Sequence, residues 1–536
     1  MLDGRYGYLA PTEEWLALKS GEQVEIQVKN WLFAGTQLVG RQGFHLTEVD
    51  PALGTERLLG SPNILPPVLA PIKPHREVKR LSPSCSTKVQ DAANNFRRYA
   101  DVEYADPSLT VIPAVKTLKA TGEVFKFDGF HIEAPPELAG EKLHLQSFLP
   151  QAGGGGRRGI VLLDMDPSLP DNTYLMAVTA GGIGIEGSNK TQVFYAIQTL
   201  RQLLRLGSPC EMPRVKIADS PDFAHRALYL DIARHFHGLP QLKKVVSAMA
   251  AYKLNRLQLG ISNDEGWRLE ILGLPELTEV GSRRAFQNSS QSSGQPKCLY
   301  PAWGDNHELT EGFLQRQEFI ELLTHARLHH VEVVVELNLP GHANAIIKSF
   351  ADSDKYQLTD PADKSEHLSA QGYTSNVVNV CLPDTYRFAK DVLQAIKYCY
   401  DEANVPFNLI HLGGDEVPDG AWLGSPVCQQ SDLWQPQWDM NKRKDRQAAT
   451  AALTRHYLKR ITDIAESISP GLQTGFWHEM GPYAADNNDR HKNTNKNAYY
   501  NCWGAETDKT QAAKQLLAAK QRLVISNASY LYFDMP

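Results

Sequence analysis

Residues 411–418 read HLGGDEVP, in which two adjacent acids, Asp415 and Glu416, follow two glycines. Neighbouring carboxyls suit acid–base chemistry, because different surroundings set them apart in proton affinity: burial keeps one protonated while donors keep the other ionised. The same letters also suit an ordinary Gly-Gly-Asp turn with solvated acids. What precedes them favours the first reading. Phe407, Leu409, Ile410 and Leu412 form an apolar run that reads as a buried strand of a parallel sheet. The acids therefore sit at a strand's C-terminal end.

Other chemistry-bearing residues fall at equivalent places. After successive apolar runs come Arg234, His235 and His237; Asn263, Asp264 and Glu265; His342; Trp477, His478 and Glu479; Trp503; and Tyr532 with Asp534. Each has a plain alternative, such as a helix-start histidine for His342 or a core residue for Trp503. Together they compose a mouth suited to a sugar, since aromatic faces pack on the pyranose C–H surface while carboxylates and amides hold hydroxyls. A rival set, His235-x-His237 with His478, matches part of a metal-dependent amidohydrolase barrel. That barrel also needs a histidine after strand six, where this chain has Asn501, Cys502 and Trp503, and an aspartate after strand eight.

The elements that must hold these residues follow from the rhythm of the chain. After Asp219-Ser-Pro, the runs ALYLDIA, RLQLGIS, VEVVVELN, NLIHLGG, LQTGFWHE, AYYNCWG and RLVISNA alternate with amphipathic stretches such as QEFIELLTHARLHH and TYRFAKDVLQAIKYCYDE. Strand–helix alternation predicts a parallel (β/α)8 barrel of the TIM type over 221–536, with its site at the strands' C-terminal ends and its last strand missing. Residues 75–220 mix strands with one helical stretch, TQVFYAIQTLRQLLRL, and predict an α+β domain. Residues 1–65 read as part of a β-sandwich, separated by the proline-rich SPNILPPVLAPIKPHREV. Gly153–Gly156 lacks the G-K-[ST] ending of a phosphate loop and reads as a flexible connection.

Composition narrows the partners. A net charge of −6 over 536 residues, with 42% hydrophobic and 22% charged residues, leaves no basic footprint for nucleic acid. No apolar run is long enough to span a membrane, and the opening MLDGRYGYLAPTEEW lacks the charged and apolar regions of a secretory signal, as in a cytoplasmic chain. The seven cysteines form no C-x-x-C pair. Cys298, Cys381 and Cys428 fall in loop-like segments open to disulfides in an exported protein, whereas Cys399 and Cys502 read as core; the pairing stays open.

HLGGDEVPDGAW resembles the signature of family 20 glycoside hydrolases, the β-N-acetylhexosaminidases, and in particular their bacterial chitobiase-like branch. HRALYLDIARHFH, ISNDEGWRLEI, ELNLPGHANA, NVCLPDTYRF and YLYFDMP are similar to family blocks, in family order. The resemblance implies exo-acting, retaining hydrolysis of terminal β-linked N-acetylglucosamine, or N-acetylgalactosamine, in which the substrate's own 2-acetamido oxygen attacks the anomeric carbon. This differs from the usual two-carboxylate scheme. By that similarity Glu416 is the general acid and base, and Asp415 orients the acetamido N–H. Asp264 and His342 support Glu416, and Arg226 binds ring hydroxyls. Trp477 and Trp503 wall the acetamido pocket, Tyr532 donates to the acetamido oxygen, and Asp534 holds a sugar hydroxyl. No cofactor or metal is implied, the expected partner is an amino-sugar oligosaccharide, and the expected location is periplasmic, outer-membrane-associated or secreted. Against the family pattern, the sequence reads as truncated at both ends, which raises the alternative of a sugar-binding remnant without turnover.

Overall fold

The computed structural model describes residues 47–50, 55–58, 110–149, 158–205, 210–283, 312–484, 497–503 and 506–533. The expected sandwich over 1–65 lies outside these residues, except for Thr47–Asp50 (β1) paired antiparallel with Thr55–Leu58 (β2). The proline-rich segment, Gly153–Gly156, Cys298 and Asp534 also lie outside them.

Six strands build the first sheet: Thr117–Phe127 (β3), Gly129–Glu133 (β4), Arg158–Met165 (β5), Tyr174–Thr179 (β6), Gly182–Gly187 (β7) and Cys210–Asp219 (β8), in the order β3-β8-β6-β7-β5-β4. In β6, Tyr174, Met176 and Val178 are buried and alternate with more exposed neighbours, as expected of a strand with one face on a core. The helix Lys190–Leu203 packs on β5, β6 and β7. Its start is fixed by Asn189, whose side chain accepts from Gln192 N at 3.2 Å. Val193, Phe194, Ile197 and Leu200 recur at helical spacing and are buried.

The second sheet is the parallel one read from the sequence. Ala227–Asp231 (β9) and Arg256–Gly260 (β10) are followed by the small hairpin Ser262–Asn263 (β11) with Gly266–Trp267 (β12). Then come Glu332–Glu336 (β13), Leu409–His411 (β14), Gln473–Trp477 (β15), Ala498–Trp503 (β16) and Arg522–Ser526 (β17). The order β17-β16-β15-β14-β13-β10-β9 is sequential, and every neighbouring pair is parallel, as strand–helix–strand units require. This curled sheet is an open TIM-type half-barrel: among the described residues β9 and β17 do not pair, so seven strands leave two edges. Exposure follows from that opening. The interior strand β13 is buried along almost its whole length, whereas β9 and β17 are mostly half-buried.

The helix Pro383–Glu402 shows why the outer layer forms. Tyr386, Phe388, Ala389, Val392, Leu393, Ile396, Cys399 and Tyr400 fall on one side and are buried, with Pro383 in the first turn where its missing N–H costs nothing. Cys381, at the entrance to this helix, is disulfide-bonded to Cys428 with Cα atoms 5.3 Å apart, while Cys399 and Cys502 are buried free thiols. Among the described residues no helix is long and apolar enough to cross a membrane.

Candidate active site

The short strand β14 delivers Asp415 and Glu416 to the C-terminal rim of the sheet, and the two glycines are what allow it. Gly413 and Gly414 have φ of +65° and +92°, and a Cβ on either would collide with Asn338 or with Met480 respectively. Two other residues at the rim hold left-handed backbone without being glycine, His342 at φ +51° and Glu416 at φ +49°. Such conformations cost free energy and persist where surrounding contacts over-determine them.

Those contacts form a relay. Asp264, in the turn of the β11–β12 hairpin, is fully buried; its Oδ2 accepts from His342 Nδ1 at 2.9 Å and from Asn376 Nδ2 at 3.0 Å, and its Oδ1 accepts from Asn344 N at 3.1 Å. The far nitrogen of the same imidazole, Nε2, lies 3.3 Å from Asp415 Oδ2 and 3.4 Å from Glu416 Oε2. Both contacts are off the N–H axis, so they are ion contacts more than aligned hydrogen bonds. Asn338 Nδ2 donates to Asp415 Oδ1 at 2.9 Å, and Gln371 Nε2 donates to Glu416 Oε2.

The charges follow from this geometry. Burial works against an imidazolium at His342, but Asp415 and the bond to Asp264 outweigh it and hold the proton well above the usual histidine range. Burial likewise opposes the Asp415 carboxylate, yet His342 and Asn338 bring its pKa down to about 2. For Glu416 the contact with His342 dominates, and with Gln371 it lowers the carboxyl below its ordinary value. This corrects one expectation: neither acid of the pair is kept protonated by burial, because both share one cationic neighbour.

A second correction concerns Arg226. It precedes β9, at the opposite end of the strand from the rim, and its guanidinium is committed there, donating to Lys253 O at 2.8 Å, Phe223 O at 2.6 Å and Tyr195 Oη at 2.8 Å. It joins the sheet to the helix Lys190–Leu203, about five strand residues, roughly 16 Å, from the acids' end. The arginine at the rim is Arg234. Its Nε donates to Glu265 Oε2 at 3.0 Å and its Nη1 to Asp231 Oδ2 at 2.8 Å, and its charge helps to lower Asp415.

Trp477 lies at the floor of the rim. It is 5% exposed, edge-on to His411 and Tyr229, with Nε1 donating to Glu336 Oε1 at 3.2 Å. Trp503 is half-buried and donates to Glu479 Oε1 at 2.9 Å. Tyr532 follows the short helix Ala528–Leu531 beyond β17 and is half-buried. The structure thus groups Asp264, His342, Asp415 and Glu416 in one contact chain, with Arg234 and Trp477 beside it. The His235 and His237 rings lie 4.8 Å apart with their planes tilted by 54°, but among the described residues no three His, Cys, Asp or Glu side chains converge as a metal set.

Sequence reasoning missed Asn338, Gln371, Asn376 and Glu336. Asn338 and Glu336 carry a legible signal, being two apart at the end of β13 and so on one face. Gln371 and Asn376 lie in a long loop whose path no periodicity reports. A cavity of about 380 Å³ opens behind the relay, lined by Asn344, His367, Asp360 and Trp422, away from the acid pair.

Comparison with known proteins accords with this arrangement. Residues 223–536 match the model of the glycosyl hydrolase family 20 catalytic domain, and residues 108–220 match that family's domain 2. The chain is 32% identical over 383 residues to Beta-hexosaminidase B of Pseudoalteromonas piscicida, covering 68% of this chain and 46% of that protein. It is 27% identical over 585 residues to the N,N'-diacetylchitobiase of Vibrio harveyi, covering 98% of this chain and 63% of that one. The crystal structure of a GH20 exo β-N-acetylglucosaminidase from Vibrio harveyi in complex with N-acetylglucosamine is similar at a TM-score of 0.62 and 26% identity, over 78% of this chain and 60% of that one. The chain therefore spans 46% to 63% of the length of these curated relatives.

Proposed function

The chain belongs to glycosyl hydrolase family 20, and from that premise we propose that it removes terminal β-linked N-acetylglucosamine, with N-acetylgalactosamine as a second substrate, from the non-reducing ends of chitin oligosaccharides or glycoconjugates. The observation that carries this reading is the shared imidazole: one group, His342, touches both Asp415 and Glu416 and is itself oriented by Asp264.

In the proposed reaction the substrate's acetamido oxygen attacks the anomeric carbon. Asp415, ionised and fixed by Asn338, accepts the acetamido N–H and stabilises the positive charge that develops on the ring it forms. Glu416 gives a proton to the leaving oxygen and then takes one from water. Its side chain is 23% exposed before substrate binds. A sugar that displaces water there raises its proton affinity, the direction an acid requires. Arg234, a rigid fork between Asp231 and Glu265, is placed to receive ring hydroxyls in the role first assigned to Arg226. Trp477 and Trp503 would wall the acetamido group and Tyr532 would donate to its oxygen.

The Cys381–Cys428 disulfide supports an oxidising location, either periplasmic, outer-membrane-associated or secreted. A second reading, sugar binding without turnover by these 536 residues, draws on the edges of β9 and β17, which do not pair with each other among the described residues.

The test is release of p-nitrophenol from its β-N-acetylglucosaminide and from its β-glucoside, by this chain and by Asp415→Asn/Glu416→Gln. Hydrolysis confined to the acetamido sugar and lost in the double variant supports the proposal. Equal rates on both sugars would overturn the assisted mechanism, and tight sugar binding without turnover would favour the second reading.

A further inference from the structure

Beneath the catalytic rim, a polar layer crosses the barrel where apolar residues would be expected. Glu336, at the end of β13 and 1% exposed, is its centre. Trp477 Nε1 donates to its Oε1 at 3.2 Å, and Gln258 Nε2 donates to its Oε2. Gln258 in turn accepts from Asn501 Nδ2 at 3.1 Å, so the network links β10, β13, β15 and β16. On the fourth strand, His411 Nδ1 lies 3.3 Å from Glu336 Oε2 and also accepts from Gly413 N at 3.2 Å.

That last arrangement decides where a proton sits. A His411 Nδ1 whose one lone pair accepts from a backbone N–H carries its ring hydrogen on Nε2 and offers Glu336 no N–H. A carboxylate beside that nitrogen gains no proton from it, so burial at 1% exposure favours the neutral acid. His411 is not an imidazolium, because burial drives its pKa down to about 3. The imidazole therefore brings no positive charge to Glu336.

We infer that Glu336 works as a neutral carboxylic acid and is a positioning residue for the reaction, pinning the Trp477 indole that forms the floor of the sugar pocket beside Asp415. The inference rests on the proposed function for the role of that floor. A carboxylate at Glu336 would set a second buried negative charge near Asp415 and tighten its pull on the indole N–H. Burial first, and the Asp415 charge second, raise its pKa to about 8.

The groups facing it do not compete in that range. Tyr229 from β9 and Tyr499 from β16 are held far above it by burial, and Asp231 and Asp415 are acids whose charge pushes Glu336 upward. His342, on the other side of Asp415, also releases its proton only above the usual histidine range. Replacing Glu336 leaves His342 in place, which separates the two.

The test uses the whole chain labelled with 5-fluorotryptophan, its Trp477 ¹⁹F line identified by loss in Trp477→Phe, titrated from pH 6 to 9.5 without substrate. We expect that line to shift with a midpoint near 8 and to be flat in Glu336→Gln. A line that does not titrate, or that titrates alike in both proteins, overturns the inference. A second measurement needs no assignment. The Tm of the wild type should fall relative to Glu336→Gln between pH 5 and 8, because the unfolded carboxyl releases its proton earlier than the folded one, and a constant difference would overturn the inference as well. Should Glu336→Gln not fold, the wild-type ¹⁹F titration decides alone. None of these readouts depends on turnover, so failure of the hydrolase proposal is seen separately, in the p-nitrophenyl assay. Where turnover is present, the alkaline limb of kcat/KM should move upward in Glu336→Gln.

Discussion

Asp264 Oδ2 accepts a hydrogen bond from His342 Nδ1 at 2.9 Å, and neither side chain is more than 1% exposed. A carboxylate and an imidazole fully removed from water and joined at one end leave the imidazole's other nitrogen in a fixed direction, and here that direction is toward Asp415 and Glu416. The pair orients and charges the two carboxyls of the rim.

The two neighbouring acids should separate kinetically. Glu416→Gln is expected to slow a natural disaccharide by roughly 10²–10⁴-fold and a p-nitrophenyl sugar far less, since a good leaving group needs little proton assistance. Asp415→Asn should slow both by about 10²–10³-fold, because it removes charge stabilisation whatever the leaving group. Full activity of Glu416→Gln on the disaccharide would remove it from the acid role.

Acid should destabilise the fold through Asp415. Its folded pKa is lowered from 3.8 to about 2, so its contribution is present above the ordinary value and is lost as pH falls through the folded one. The shift corresponds to about 2 kcal/mol. His342 has the opposite sign: its folded pKa is raised, so its contribution is complete below the ordinary histidine value and fades as pH rises through the folded one. His342→Ala should therefore move the acid unfolding midpoint to higher pH in a circular dichroism titration. An unchanged midpoint would mean the imidazole does not hold Asp415.

The two arginines should exchange the effects first expected of them. Arg226→Ala, which removes bonds to Lys253, Phe223 and Tyr195, should lower Tm and leave KM near the wild-type value. Arg234→Lys keeps the charge but loses the fork, and should raise KM roughly tenfold, the equivalent of about 1.4 kcal/mol. A KM effect of Arg226→Ala larger than that of Arg234→Lys would return the sugar-binding role to the former.

The Cys381–Cys428 bond closes a segment 47 residues apart in sequence that contains Asp415 and Glu416. Reduction or Cys428→Ser should cost roughly 2–4 kcal/mol, seen as a lower Tm in dithiothreitol. A Tm insensitive to reductant would show that the bond adds nothing to the fold.

The sequence by itself determined the parallel sheet and the place of the acids. Seven apolar runs alternating with amphipathic helices have few other ways to bury both faces, and chemistry at strand ends follows from that topology. Thus Asp415, His342 and Asp264 were legible as residues of one rim although they lie far apart along the chain. Arg234 was legible there too, at the end of the first run; only the tertiary structure decided that Arg226 is committed elsewhere, to Lys253, Phe223 and Tyr195. Arg226 and Arg234 stand eight positions apart in one motif, and the difference is which end of β9 each occupies. It also decided the proton affinities, because these depend on a single imidazole shared by two carboxyls and on burial around Glu336, and neither is written in the type of any one residue.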